Sequence, residues 1–92
     1  MTATMEQRFQ QFHAENPQVY TELVKLAREA RSRGRQRLGV RMLWEVMRWN
    51  LFFQTTDPDF KLNDHYHSRY ARLIMEQEPD LADVFEIREL RS

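Results

Sequence analysis

The sequence lacks cysteine and contains little glycine. With no cysteine in 92 residues, the chain has no disulfide framework, no thiol nucleophile and no zinc site built on thiolates. Two glycines are too few for the phosphate-binding loops of nucleotide-binding proteins, which need several glycines at fixed spacing. No apolar run approaches the roughly 18 residues that a membrane span requires, and no signal-peptide pattern opens the chain. These absences favour a protein outside the membrane that carries no cofactor.

Aromatic and apolar residues are, in contrast, frequent enough for a folded core. They make up 12% and 41% of the chain, whereas disordered segments are poor in both. A chain of this length buries roughly 60% of its unfolded surface, which supports one small domain. We therefore expect a single domain over residues 1–92, in which an N-terminal helix over residues 1–15 precedes a core over residues 16–92.

The charges balance overall but are unevenly distributed. Fourteen basic and fourteen acidic residues give a net charge of zero. The segment from Lys25 to Arg41 contains seven cations and one anion, a net charge of +6, and the segment from Glu76 to Glu89 contains six anions and one cation, a net charge of −5. One interpretation of this asymmetry is a basic surface that binds nucleic acid or an acidic partner. The other is that the two segments face one another, within the fold or between subunits.

Capping residues mark the first two helices. Thr4, with a glutamine three residues later, has the pattern of a capping box, and the helix that it opens is expected to end near Asn16. Pro17 then begins the second helix after Asn16 as its N-cap, because proline at the first helical position loses no hydrogen bond. Gly34 ends this helix, since only glycine enters the left-handed cap conformation freely. Its apolar side chains fall on one side, and Glu22 is expected on the other.

Two further helices follow a basic connection over residues 35–39. The third is predicted over Val40–Phe53 and is apolar on two sides, which is typical of a helix at the centre of its domain or of one shared with a partner. The fourth is expected to begin at Asn63 or Asp64 and to end near Glu78, since a proline follows. The predicted fold class is therefore mainly α, a small domain of four helices.

The C-terminal segment has the features of a turn followed by a strand. Residues Asp80 to Asp83 have the composition of a turn, and apolar and polar residues alternate from Phe85 to Arg88. A strand here would pair near Phe60–Leu62 in a minor β-hairpin. With that hairpin, the order of elements is similar to a winged helix-turn-helix, although the predicted loop over residues 54–62 is longer than the turn of that motif.

No arrangement of residues indicates catalysis or a metal site. The serines lack a nucleophile motif such as G-x-S-x-G. His65 and His67, with Asp64, have the residue types of a zinc site. Helical residues two positions apart, however, point about 200° from each other and cannot share one ion. We therefore predict a non-enzymatic protein with no cofactor and no metal.

One candidate function is nucleic-acid binding by an accessory or regulatory protein. The outward side of the fourth helix carries His65, Ser68, Arg69 and Arg72, whose side chains are suited to base edges or phosphates. Further cations near the basic connection would follow a phosphate backbone. The residues assigned to phosphate positioning are Arg33, Arg35, Arg37 and Arg41. The predicted partner is duplex DNA, bound by a dimer of this chain.

The alternative is a protein-binding adaptor or inhibitor. The third helix concentrates aromatic residues, and tryptophan and arginine are the residues most enriched at binding hot spots. The expected interface consists of Trp49, Phe52 and Phe53. Phe52 lies beside Arg48 on the polar side of the helix, and would either anchor a partner or be covered by the loop that follows. A homodimer that pairs the basic middle with the acidic end would use the same features.

Three stretches of the sequence resemble short uncharacterised proteins found in phages, prophages and bacteria. They are Gly34–Trp49 (GRQRLGVRMLWEVMRW), Phe60–Asn63 (FKLN) and Tyr70–Met75 (YARLIM). The resemblance covers residues 12–90 and brings no catalytic residues with it. It implies a cytoplasmic accessory protein of phage or prophage origin that acts on host or phage DNA or on a host protein complex.

Overall fold

Four α-helices and two short 3-10 turns make up the described part of the protein. The computed structural model describes residues 4–54 and 64–85. The helices are α1 (Met5–Glu15), α2 (Pro17–Ser32), α3 (Val40–Gln54) and α4 (His67–Gln77), and 3-10 turns cover Asp64–Tyr66 and Pro79–Leu81. The prediction of a mainly helical fold is confirmed. None of the helices in these two ranges has the length and the apolar character that crossing a membrane requires.

The ends of α1 and α2 follow from their capping residues. Thr4 Oγ1 accepts a hydrogen bond from the Gln7 N–H at 3.1 Å, and Gln7 Oε1 accepts one from the Thr4 N–H at 2.9 Å, which completes the predicted capping box. Helix α2 ends where Gly34 takes a φ of +96°. The N–H groups of Gly34 and of the next residue then donate to two carbonyls in the last turn of α2. This pattern is the Schellman motif, so the predicted glycine stop is confirmed.

Asn16 joins the first two helices in a different way from the one predicted. Its side chain makes no capping hydrogen bond to α2, and its Nδ2 instead donates to the Phe12 carbonyl at 3.1 Å. The side chain therefore satisfies a carbonyl at the C-terminus of α1. At the start of α2, Pro17 has no N–H group to satisfy, and the Val19 N–H donates to the backbone carbonyl of Asn16 at 3.1 Å.

One cluster of apolar side chains forms the core. Its fully buried members include Trp44, Tyr70, Leu23 and Met47, each at most 1% exposed. Helix α1 contributes Phe9, whose ring meets the Tyr70 ring nearly edge-on with 4.8 Å between centroids. The N-terminal helix is therefore part of the same core as the helices that follow it.

The C-terminal segment is anchored in this core. Leu81, Val84 and Phe85 are buried, which confirms the predicted inward side of Phe85. The Leu38 N–H donates to the Val84 carbonyl at 2.7 Å, and Leu38 forms a parallel β-bridge with Phe85. Residues 60–62, the predicted partner, lie outside the described residues. In the described ranges, the β-type pairing of the C-terminal segment is this one bridge to Leu38 of the basic connection. The β-hairpin with residues 60–62 stays a prediction.

Glu22 is buried, contrary to its predicted position on the solvent side of α2. Its Oε2 accepts a hydrogen bond from Asn50 Nδ2 on α3 at 3.1 Å. Helix α3 covers this side of α2. The buried side of α2 is therefore wider than its apolar residues alone would predict, and it includes Glu22. A carboxylate taken out of water needs a hydrogen-bond donor, and Asn50 provides it.

Candidate interaction surface

Two of the central cations are paired with the acidic C-terminal segment. Arg28 Nη2 lies 2.6 Å from Glu78 Oε1, and Arg28 Nε lies 3.0 Å from Asp80 Oδ2. Arg31 Nη2 lies 2.5 Å from Asp83 Oδ1. The hydrogen bonds from these arginines lower the pKa of Asp80 and of Asp83 below the usual range. The interpretation in which the basic and acidic segments face one another within the fold is confirmed for these residues.

The ion pairs predict that the protein loses stability in acid. A carboxyl group whose pKa is lowered on folding stabilises the folded state above its unfolded pKa, and this contribution disappears as the pH falls through the folded pKa. Because the pKa of Asp80 and of Asp83 is lowered, we expect the Tm to change little between about pH 7 and about pH 5 and to fall below about pH 4. The acid-induced fall in Tm, followed by circular dichroism, should be smaller in Asp80→Asn/Asp83→Asn. Equal falls in both proteins would contradict the role of these pairs.

Arg69, predicted to contact nucleic acid, is paired within the fold instead. Its Nη1 lies 3.5 Å from Glu6 Oε2 on α1. Arg69 and Arg72 line one groove, and the same groove is lined by Glu6 and Glu76. Two carboxylates therefore oppose the two positive charges at this place. The exposed members of the predicted set in this region are His65, Ser68 and Arg72.

Arg41 lies close to the start of α4. Burial lowers the pKa of His67, and the charges of Arg41 and His65 lower it further. The His67 ring packs nearly edge-on against the Trp44 ring, with 6.5 Å between centroids. Arg41 and His65 therefore both lie near His67, whereas Arg69 is paired with Glu6 of α1.

Three of the predicted arginines surround one groove at the connection between α2 and α3. Arg33, Arg35 and Arg37 are exposed and line a groove of about 300 Å³. Its floor is apolar and includes the buried side chains of Leu38 and Leu43. No carboxylate is among the described residues that line it. We call this place the arginine groove.

Nearby acidic residues compensate only part of the charge of the arginine groove. Arg33 Nη2 lies 3.4 Å from Glu29 Oε1, one turn earlier in α2. Arg37 contributes, after Arg31, to the lowered pKa of Asp83. Within residues 4–54 and 64–85, neither Arg35 nor Arg37 forms an ion pair. Both residues are exposed, and both line the arginine groove.

The outer side of α3 exposes a row of apolar side chains. Met42, Val46, Trp49 and Phe52 are 60%, 41%, 65% and 70% exposed. They follow one another at intervals of three or four residues, so they lie on one side of the helix. We call this row the α3 stripe. The opposite side of α3 lies in the core, so the helix buries one of its two apolar sides and exposes the other.

Aromatic rings form one end of the α3 stripe. The Trp49 and Phe52 rings are inclined by only 17°, with 6.5 Å between centroids. Together with Glu45 and Arg48, they line a shallow groove of about 190 Å³. Both aromatic residues belong to the predicted protein interface. The side chain of Phe53, its third member, lies outside the described part of the structure.

Met42 connects the stripe to the arginine groove. It begins the α3 stripe and also lines the groove of Arg33, Arg35 and Arg37. Met42 and Val46 were not predicted as interface residues, although the second apolar side of α3 was a signal for them. The two features form one continuous surface, apolar along the helix and cationic at its N-terminal end.

Comparisons of the chain with protein-family models, with curated proteins and with solved structures find no match. The resemblance to phage, prophage and bacterial proteins therefore stays a prediction. Among the residues that the structure describes, no group of three or more metal-ligating side chains is placed to hold an ion. The function is accordingly inferred from the geometry of the continuous surface on α3.

Proposed function

We propose that this protein is a non-enzymatic adaptor or inhibitor that binds another protein through the α3 stripe. The observation that supports the proposal is the exposure of Met42, Val46, Trp49 and Phe52 on one side of a helix whose other side is in the core. Single exposed apolar residues are ordinary on a protein surface. A contiguous row of large ones is typical of an interaction site.

The residue types of the stripe suit a binding hot spot. Tryptophan is among the residues that contribute most binding free energy, and Trp49 lies at the aromatic end of the stripe with Phe52 beside it. Fully burying a large apolar side chain yields about 1.5–3 kcal/mol. The spacing of the stripe corresponds to the i, i+4 and i+7 anchors of helix-in-groove recognition. The partner is therefore expected to bind along the axis of α3.

A site-specific crosslinking experiment tests this proposal. With a photoreactive phenylalanine analogue at position 46, we expect a crosslinked partner, identified by mass spectrometry, in the cells that make the protein. The same analogue at the exposed position of Lys25 on α2 is the matched control and should give no adduct with that partner. Trp49→Asp should weaken binding of the identified partner by about thirtyfold, the effect of losing one hot-spot residue. Equal crosslinking from both positions, or unchanged binding by Trp49→Asp, would refute the proposal.

Nucleic-acid binding stays a second prediction. The exposure of Arg33, Arg35 and Arg37 around one groove supports it. The pairing of Arg69 with Glu6 and the net charge of zero count against it, because nucleic-acid-binding domains of this size are usually basic. Duplex DNA affinity that falls steeply with salt would be the signature of such binding.

A further inference from the structure

The arginine groove combines a cationic rim with an apolar floor. The rim consists of Arg33, Arg35 and Arg37, and the floor includes Leu38 and Leu43. Its volume of about 300 Å³ is at the lower end of the range for ligand pockets. A groove of this kind suits a ligand that presents a negative charge beside an apolar group.

The arginines of this protein have two different roles. Arg28 and Arg31 each pair with a carboxylate of the C-terminal segment, and Arg69 pairs with a carboxylate of α1. Arg35 and Arg37 form no ion pair within the described ranges. Both are exposed and line one groove, and no carboxylate is among the described residues of its lining, so an acidic group from outside can reach both of them.

We infer that the arginine groove binds an acidic and apolar segment of the partner protein. The inference rests on the proposed function, since the segment is the part of the partner that continues from the α3 stripe. Aspartate or glutamate carboxylates of the segment accept paired hydrogen bonds from the guanidinium groups of Arg35 and Arg37. A neighbouring large apolar side chain of the segment covers the floor formed by Leu38 and Leu43.

The length of the surface sets the size of this segment. Met42, at the groove, and Phe52, at the far end of the stripe, are ten residues apart, which corresponds to about 15 Å along the helix axis. About ten helical residues or about five extended ones span that distance. The partner segment is therefore short and amphipathic, with its acidic residues at the end that faces Arg35 and Arg37.

The apolar floor favours a protein segment over a nucleic acid. A phosphate backbone is recognised by polar and cationic groups along an extended track, and it has nothing to place against Leu38, Leu43 and the exposed Met42. The other cations proposed for such a track are divided, since Arg69 is held by Glu6. A peptide with acidic and apolar side chains can pair with the arginines of the rim and also cover the apolar floor.

Selection from a displayed library of random 12-residue peptides tests the inference. The library is selected on the full chain and depleted on Arg35→Glu/Arg37→Glu. We expect the enriched peptides to place aspartate or glutamate within a few residues of leucine, phenylalanine or tryptophan. Synthetic copies, measured by fluorescence anisotropy, should bind the double variant at least about tenfold more weakly than the original chain, the combined effect of two lost surface charge pairs and their reversal.

Matched controls separate the groove from the general charge of the protein. Arg8→Glu/Lys25→Glu changes the net charge equally at exposed positions on α1 and α2, and peptide affinity should change little. Peptides in which lysine replaces the acidic residues should recover binding to Arg35→Glu/Arg37→Glu. Circular dichroism establishes that each variant is folded.

The possible results distinguish the inference from the proposed function. Enriched peptides that lack acidic residues, and that depend on Trp49 but not on Arg35 and Arg37, would overturn the role of the arginine groove and leave the α3 stripe as a protein-binding surface. Retention of a duplex of about 20 base pairs with a steep salt dependence, lost in Arg35→Glu/Arg37→Glu and unchanged in Trp49→Asp, would overturn both. A library that yields no enriched peptide would also count against both.

Discussion

Trp44→Ala is expected to lower the Tm by about 15 °C or more. Trp44 is 1% exposed, and its ring packs beside those of Tyr70 and His67, with centroids 5.8 and 6.5 Å away. Truncating a buried tryptophan to alanine costs about 3–5 kcal/mol, which is comparable to the whole folding free energy of a small domain, about 5 kcal/mol or somewhat more. Thermal unfolding followed by far-ultraviolet circular dichroism, together with urea denaturation, measures the effect.

Trp49→Ala on the same helix is the matched control. Trp49 is 65% exposed, and its removal gives up the stacking contact with Phe52 and little buried surface. The expected change in Tm is therefore only a few degrees, as for other surface substitutions. Similar losses from the two tryptophans would mean that both sides of α3 are buried, and the α3 stripe would then be unavailable to a partner.

Leu81→Ala is expected to destabilise the protein by about 2–5 kcal/mol. Leu81 is fully buried, as is Val84 three residues later, so the segment after Pro79 contributes apolar surface to the core. Replacing leucine there leaves a cavity that the turn cannot close without moving. A urea denaturation midpoint that stays unchanged would show that this segment does not belong to the cooperative unit.

Asp83→Ala distinguishes apolar anchoring from anchoring by charge. It removes the ion pair to Arg31 Nη2 while leaving Leu81 and Val84 in place. Because Asp83 is exposed, its ion pair is screened by solvent, and the loss of stability should be clearly smaller than for Leu81→Ala. A larger loss from Asp83→Ala would instead make the ion pair the main attachment of the C-terminal segment.

The helices could be predicted because their signals are local. The capping box of Thr4, the proline that opens α2 and the left-handed Gly34 each act within a few residues, and each is found where the sequence indicates it. The partner of Phe85 could not be predicted in the same way. Its bridge to Leu38 joins distant parts of the chain through one contact, which leaves no periodic pattern in the sequence.

The candidate surface was predictable only in part. Two apolar sides on α3 are visible in the sequence, but which of them faces solvent depends on how α2 and α4 pack against the helix. Glu22 illustrates the same limit, since its burial depends on Asn50 of another helix. Whether an arginine of the basic segment forms an ion pair likewise depends on carboxylates that are far away in the sequence. Arg28 and Arg31 lie close to such carboxylates, whereas Arg35 and Arg37 form no ion pair in the described ranges.

The bridge between Leu38 and Phe85 affects the conformational entropy that binding at the arginine groove would cost. Leu38 lies between Arg37 and Gly39, and its backbone is tied to the C-terminal segment by the hydrogen bond to Val84. A loop that is already fixed before it meets a ligand loses less conformational entropy on association. The arginine-bearing connection is therefore pre-organised, and we expect that loosening the bridge would weaken binding of the proposed acidic segment even though no residue of the bridge carries a charge.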